Sequence, residues 1–268
     1  MTTLLKSDLD IYPETDGKPM SENTEHYRWI VTIKENLEIL YTADADVFVA
    51  GDLFWYPREQ KPGEENPPSV GPDVMVIFGV PKGKRGTYQQ WMEGNIVPQV
   101  VFEIRSPSNT SKEMSKKFDF YQQYGVEEYY LYDFTRFALD GWQRRGERLE
   151  PILNMNGWVS PRLGIRFVMT TEDLEIYRPD GRKFLSSVEI EGNWLREQQL
   201  REQERQRAEL AEQGQEEERQ RADRVELERD QERQRAEQAE SQLEQERQQL
   251  QNLKAQLQAM GIDPNTLN

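Results

Sequence analysis

Apolar and polar residues alternate through residues 99–108 in the manner of an extended strand, with Val100, Phe102 and Ile104 on one face and Val101, Glu103 and Arg105 on the other. A second strand-like run, residues 71–78, carries Asp73 ahead of Val74, Met75, Val76, Ile77 and Phe78. Upstream, Tyr27, Ile30, Val31, Ile33, Lys34, Leu37, Ile39 and Leu40 include the i, i+3, i+4, i+7 spacing of a buried stripe, which predicts a helix over 22–41. Residues 46–57 alternate well enough for a strand or hairpin that Pro57 stops. After the Glu103 strand, residues 106–111 end the sheet and supply cap residues for a helix beginning near Lys112, with Met114, Lys117, Phe118, Tyr121 and Tyr124 on adjacent turns. Gly125 closes that helix and residues 126–133 give the next strand. Turn-punctuated segments around Trp142, Leu149, Ile152 and Trp158 read as a meander of strands, continued by 161–169 and a last hairpin over 171–181 that turns at Pro179-Asp180-Gly181.

The chemistry begins with Glu103. A carboxylate in an apolar strand is costly to bury unless it is paired or holds a metal. Two neighbouring strands that each deliver one acid to the same edge, here Asp73 and Glu103, make the oxygen-ligand site that magnesium or manganese prefers. On the residues alone a second arrangement stands beside it, in which Asp73 caps a turn after Pro72 and Glu103 pairs with Arg105. Between the two strands lies a basic, glycine-flanked loop, Pro81-Lys82-Gly83-Lys84-Arg85-Gly86, which reads either as a phosphate contact or as a solvated turn. His26, near the start of the first helix, reads as a surface or packing residue.

The pattern changes near Asn193. Glu-Arg-Gln-Arg-Ala starts at Glu204, Glu218 and Glu232, and an altered copy starts at Glu246, so the repeat is fourteen residues, or two heptads. With a at Ala208, a positions fall on Ala222, Ala236, Leu243, Leu250 and Leu257, and d positions on Ala211, Val225, Ala239, Leu253 and Met260. Gln215, Glu218, Arg229 and Glu232 interrupt the early seam, so pairing as a parallel dimer would come from the stretch after Ala236; a single solvated helix with many i, i+4 ion pairs is the alternative. Gly261 and Pro264 end the helix. The domains expected are a body over 1–192, a charged helical tail over 193–262 and a short end over 263–268.

Length and composition narrow the classes. The 268 residues hold one ordinary domain plus an appendage. With no cysteine, disulfides and thiolate metal sites are excluded. No apolar signal core or membrane-spanning run is present, so a soluble cytoplasmic protein is expected. The net charge of -15 argues against coating nucleic acid by bulk attraction. Residues 1–70 carry 6 basic and 14 acidic side chains and 193–268 carry 12 and 18, whereas 71–150 carry 11 of each, so every candidate site residue except Glu14 sits in the least acidic part.

Pro72-Asp73-Val74, then residues 101–108, then Lys117-x-x-x-Tyr121 and residues 125–133 resemble the Uma-two family of restriction endonucleases, within the PD-(D/E)XK nuclease superfamily. Glu14-Thr15-Asp16-Gly17, with His26 further on, is similar to the family's opening segment, and the likeness covers roughly residues 10 to 180. It implies an α/β (α+β) fold with a restriction-endonuclease-like mixed sheet flanked by helices, followed here by a long C-terminal helix of coiled-coil type. It also implies DNA hydrolysis with Mg or Mn on Asp73 and Glu103, Glu14 as a third carboxylate, and Lys117 orienting water or stabilising charge. Most superfamily members carry the lysine two residues after the strand glutamate, where this chain has Arg105; the Uma-type pattern places it on the next helix, where Lys117 stands. Arg105 then takes part or simply neutralises the site, and Tyr130 stands where the family has tryptophan. The partners expected are DNA and a second copy of the chain in a homo-oligomer, with no membrane. A catalytically inactive nuclease fold that assembles proteins through its tail is the second reading, and a structural protein with no site the third.

Overall fold

The computed structural model describes residues 11–15 and 23–259. The expectations for Asp16, Gly17, Met260 and the helix end at Gly261 and Pro264 lie outside them. The chain falls into two compact units, Met1–Gly192 and Asn193–Asn268.

The first unit is built on a six-stranded mixed sheet. In chain order its elements are α1 (Thr24–Leu40), β1 (Val47–Gly51), β2 (Trp55–Tyr56), β3 (Val74–Phe78), β4 (Tyr88–Gln89), β5 (Val100–Arg105), α2 (Ser111–Tyr124), β6 (Glu128–Asp133), β7 (Ala138–Arg145), β8 (Arg148–Pro151), β9 (Arg166–Met169) and β10 (Leu174–Tyr177). The sheet runs β1-β3-β5-β6-β7-β8, with β9 and β10 forming one two-stranded sheet and β2 and β4 another. Only β5 and β6 are parallel within the large sheet, because α2 carries the chain back across it; the other neighbours are antiparallel.

Both faces of the sheet are buried, which is why its central strands are apolar on both sides. Val74, Val76, Val100, Phe102 and Ile104 pack with Trp29, Ile30, Ile33 and Leu37 of α1 in one core. Met75, Ile77, Val101 and Tyr129 pack with Tyr121 of α2 in the other. The alternation expected for the Glu103 strand therefore holds, with Glu103 on the α2 face.

Two details differ from the sequence reading. On α1, Tyr27 and Ile39 are exposed, while His26, Trp29, Thr32 and Asn36 are buried. The buried face is rotated because Asn36 satisfies the C-terminal segment, donating to Leu185 O at 2.7 Å and accepting from Arg178 at 2.8 Å. The last hairpin pairs β9 with β10 through residues 170–173, where Thr170 Oγ1 accepts from Asp173 N at 2.9 Å; Pro179-Asp180-Gly181 makes a further turn that bridges Tyr177 to Lys183.

The second unit consists, among the described residues, of the part of α3 (Ser187–Ala259) that follows Gly192. Its side chains are exposed almost throughout, and its ion pairs are i, i+3 or i, i+4 contacts such as Arg201 with Glu197. No helix among the described residues is long and apolar enough to cross a membrane.

Candidate active site

Pairing of β3 with β5 brings the two acids together. Val74 stands opposite Phe102 and Met75 opposite Val101, so one step further along the same antiparallel register sets Asp73 beside Glu103. Both are buried. Asp73 Oδ2 accepts from the backbone N–H of Ile104 at 2.6 Å and lies 3.2 Å from His26 Nε2. The turn after β1 supports it from behind, where Asp52 N donates to Asp73 O at 3.1 Å with Asp52 at φ 47, a left-handed conformation that aspartate tolerates.

Helix α2 supplies the cation. Thr110 and Glu113 form a capping box at its start, and Gly125, at φ 96, ends it in the left-handed conformation. Lys117 and Tyr121, one turn apart, both reach Glu103 on the sheet. Lys117 Nζ donates to Glu103 Oε2 at 2.7 Å and to Gly71 O at 3.0 Å, and the Tyr121 hydroxyl donates to Glu103 Oε1. The lysine side chain remains 26% exposed while Glu103 is 1% exposed, although the ammonium itself is desolvated by its burial against the two acids.

Burial dominates the electrostatics. It pushes the Glu103 carboxyl up to about 8, with the Asp73 charge adding to the rise and Lys117 and Tyr121 opposing it. Burial also disfavours the charged form of Asp73, but the His26 hydrogen bond, the Lys117 and His26 charges and the Ile104 N–H together hold it below the ordinary carboxylate range. Lys117 is raised, because Glu103 and Asp73, with Asp52 contributing, outweigh its own desolvation.

The other expected site residues lie elsewhere. Arg105 is 3.9 Å from Asp133 on the neighbouring strand, so the pairing of Glu103 with Arg105 gives way to Lys117 and Tyr121. The Glu14 carboxylate packs against Gly86, where a side chain on the glycine would collide with it; none of the described contacts of Asp73, Glu103 or Lys117 involves Glu14. In the basic loop Lys82 donates to Tyr41 O at 2.6 Å and Arg85 to Glu93 at 2.6 Å over the Phe48 ring, so both cations serve the fold. His26 and Tyr121 were not read as site residues. The 26, 30, 33, 37 spacing on α1 is the signal that places His26 on the buried face.

The donor set suits a hard cation, with two carboxylates side by side and one of them disfavoured as an anion until a further positive charge arrives. Among the described residues no group of three or more His, Asp or Glu side chains is arranged to hold a metal ion. Two carboxylates with water completing the shell is nonetheless an ordinary way to hold magnesium.

A mixed sheet flanked by helices, with an acid pair on adjacent strands and a lysine from the following helix, is an arrangement of the restriction-endonuclease-like class. The Uma2 family, described as "Putative restriction endonuclease", matches residues 38–215, and the chain belongs to that family. The match contains Asp73, Glu103, Lys117 and Tyr121, leaves out Glu14 and His26, and continues into the tail. Among solved structures the chain is similar to one described as "a putative nuclease belonging to DUF820 from Anabaena variabilis ATCC 29413", at 15% identity and a TM-score of 0.39, covering 55% of this chain and 79% of that one. No curated protein matches.

Proposed function

We propose that this protein is a metal-dependent endonuclease that hydrolyses DNA phosphodiester bonds. The observation that carries the reading is the convergence of Asp73 and Glu103 from adjacent strands with the Lys117 ammonium 2.7 Å from Glu103. Asp73 and Glu103 hold magnesium or manganese, which when bound lowers the pKa of the attacking water and neutralises charge on the scissile phosphate. Lys117, held beside both acids, orients that water and stabilises the charge that develops on the phosphate oxygens. Tyr121 fixes the orientation of Glu103, while His26 and the Ile104 N–H fix that of Asp73. The tail serves self-association.

The test is incubation of the purified full chain with varied DNAs in magnesium or manganese. The wild type is expected to cut, and the Asp73→Ala/Glu103→Ala double variant to lose cleavage while keeping its fold by circular dichroism. Equal cleavage by both would refute the assignment.

A second reading, an inactive nuclease fold used for assembly, draws on the protein ligands already occupying both oxygens of Glu103. Manganese titration separates the two. Carboxylate-dependent binding supports the enzyme, and absence of binding beside tail-dependent association supports the module.

A further inference from the structure

Helix α3 leaves an apolar seam in water. Its area comes late, since Leu243, Leu250 and Leu253 are 51%, 55% and 58% exposed, and Leu257 follows one heptad after Leu250. The flanking positions carry charges whose sign follows the fourteen-residue repeat. In two parallel helices in register, a g residue meets the partner's e residue five positions further on. Arg207 then meets the partner's Glu212, Arg221 the partner's Glu226, Glu228 the partner's Arg233 and Arg235 the partner's Glu240, all of opposite sign.

Displacing one chain reverses this pattern. A slip of one heptad turns Arg221 toward the partner's Arg233 or the partner's Arg219, and Glu228 toward the partner's Glu240 or the partner's Glu226. A slip of two heptads restores most of the signs, though it turns Arg235 toward the partner's Lys254, and leaves a single leucine-on-leucine layer, Leu243 against the partner's Leu257. In the antiparallel register with the fullest overlap of residues 204–257, the one that sets Arg229 against the partner's Glu232, the leucines are scattered: Leu243 faces the partner's Glu218 and Leu257 the partner's Glu204.

We propose that α3 joins two copies of this chain as a parallel, in-register, two-stranded coiled coil, held by its C-terminal leucines and phased by its e and g charges. Seam charges at Glu218, Arg229, Glu232 and Glu246 meet their own kind in this pair, which keeps it weak and concentrates its packing between Ala236 and Leu257. The inference specifies the self-association read above and does not depend on the nuclease reading, because its test reads association and orientation alone.

The natural chain has no cysteine, so an introduced one reports only on itself. In a glutathione redox buffer, full-length Ala239→Cys is expected to form a disulfide-linked dimer. A mixture of Ala222→Cys and Ala239→Cys, annealed and then oxidised, is expected to give like-with-like disulfides in preference to mixed ones. Sedimentation of the natural chain is expected to give twice its 31.7 kDa mass. Leu250→Glu/Leu253→Glu is expected to return the monomer, and Glu226→Arg/Glu240→Arg to weaken the dimer about tenfold by setting like charges at the flanks. A predominance of the mixed disulfide would establish the opposite orientation. A natural chain that stays monomeric at its highest soluble concentration, or forms a trimer, would overturn the proposal outright.

Discussion

Glu103 is the residue through which burial, pH and metal act on one another. Its carboxyl, pushed up to about 8 by burial first and the Asp73 charge second, keeps its proton in the folded chain after the unfolded chain has released it. Between the ordinary carboxylate range and about pH 8 the native state therefore binds more protons, and stability falls as pH rises. Asp73, held low, has the opposite sign, and its contribution is present at neutral pH and lost on acidification. Metal-free thermal melts across this window are expected to show the decline, with Glu103→Gln flattening it; a wild-type curve that rises across the window would contradict the assignment. Tyr121→Phe removes a donor from Glu103 and is expected to weaken manganese binding about 10- to 100-fold by calorimetry. At this scale Lys117 was singled out by the resemblance to the Uma-type pattern, which has a lysine four residues before a tyrosine, while helical spacing alone put it on or beside the buried stripe. His26 was not, because a lone histidine carries no signal until the buried face of α1 is phased by Trp29, Ile30 and Leu37.

The elements set these side chains through register and capping. Strands β3 and β5 were legible because each alternates over residues that face two different cores. The pairing that sets Asp73 beside Glu103 was expected as one of two arrangements, and the residues alone did not decide between them, since nothing local in either strand specifies which neighbour it takes. The two-residue strands β2 and β4 are too short to leave a periodic signal, and their parallel pairing of Trp55 with Tyr88 is decided by tertiary packing. Turn chemistry was legible at Pro179-Asp180-Gly181, which turns the chain as expected and bridges Tyr177 to Lys183. The earlier closure of β9 onto β10 at residues 170–173 was not, because it rests on the Thr170 hydroxyl bonding the Asp173 backbone. Gly125 does follow from its sequence context, because the chain must leave α2 in a left-handed conformation to enter β6. Gly125→Ala is expected to destabilise the protein by about 1–2 kcal/mol in urea unfolding, with Val97 still at ordinary contact distance. An unchanged midpoint would show that the helix end adapts at no cost.

Across the whole chain, composition separates two kinds of sequence whose boundary contacts place at Gly192. The tail was legible as helix from its repeat, whereas its partner depends on charges that become meaningful only when two chains are set side by side. Lys82 and Arg85 are used within the fold, and in the proposed function Lys117 is the cation on which catalysis depends. The most direct test of that dependence uses Lys117→Met, measured for both manganese binding and DNA cleavage. The variant is expected to bind manganese as the wild type does or more tightly, since a competing positive charge has gone, while cleavage falls about 100-fold or more. Cleavage at the wild-type rate by Lys117→Met, or a wild type that binds no manganese at all, would contradict the account.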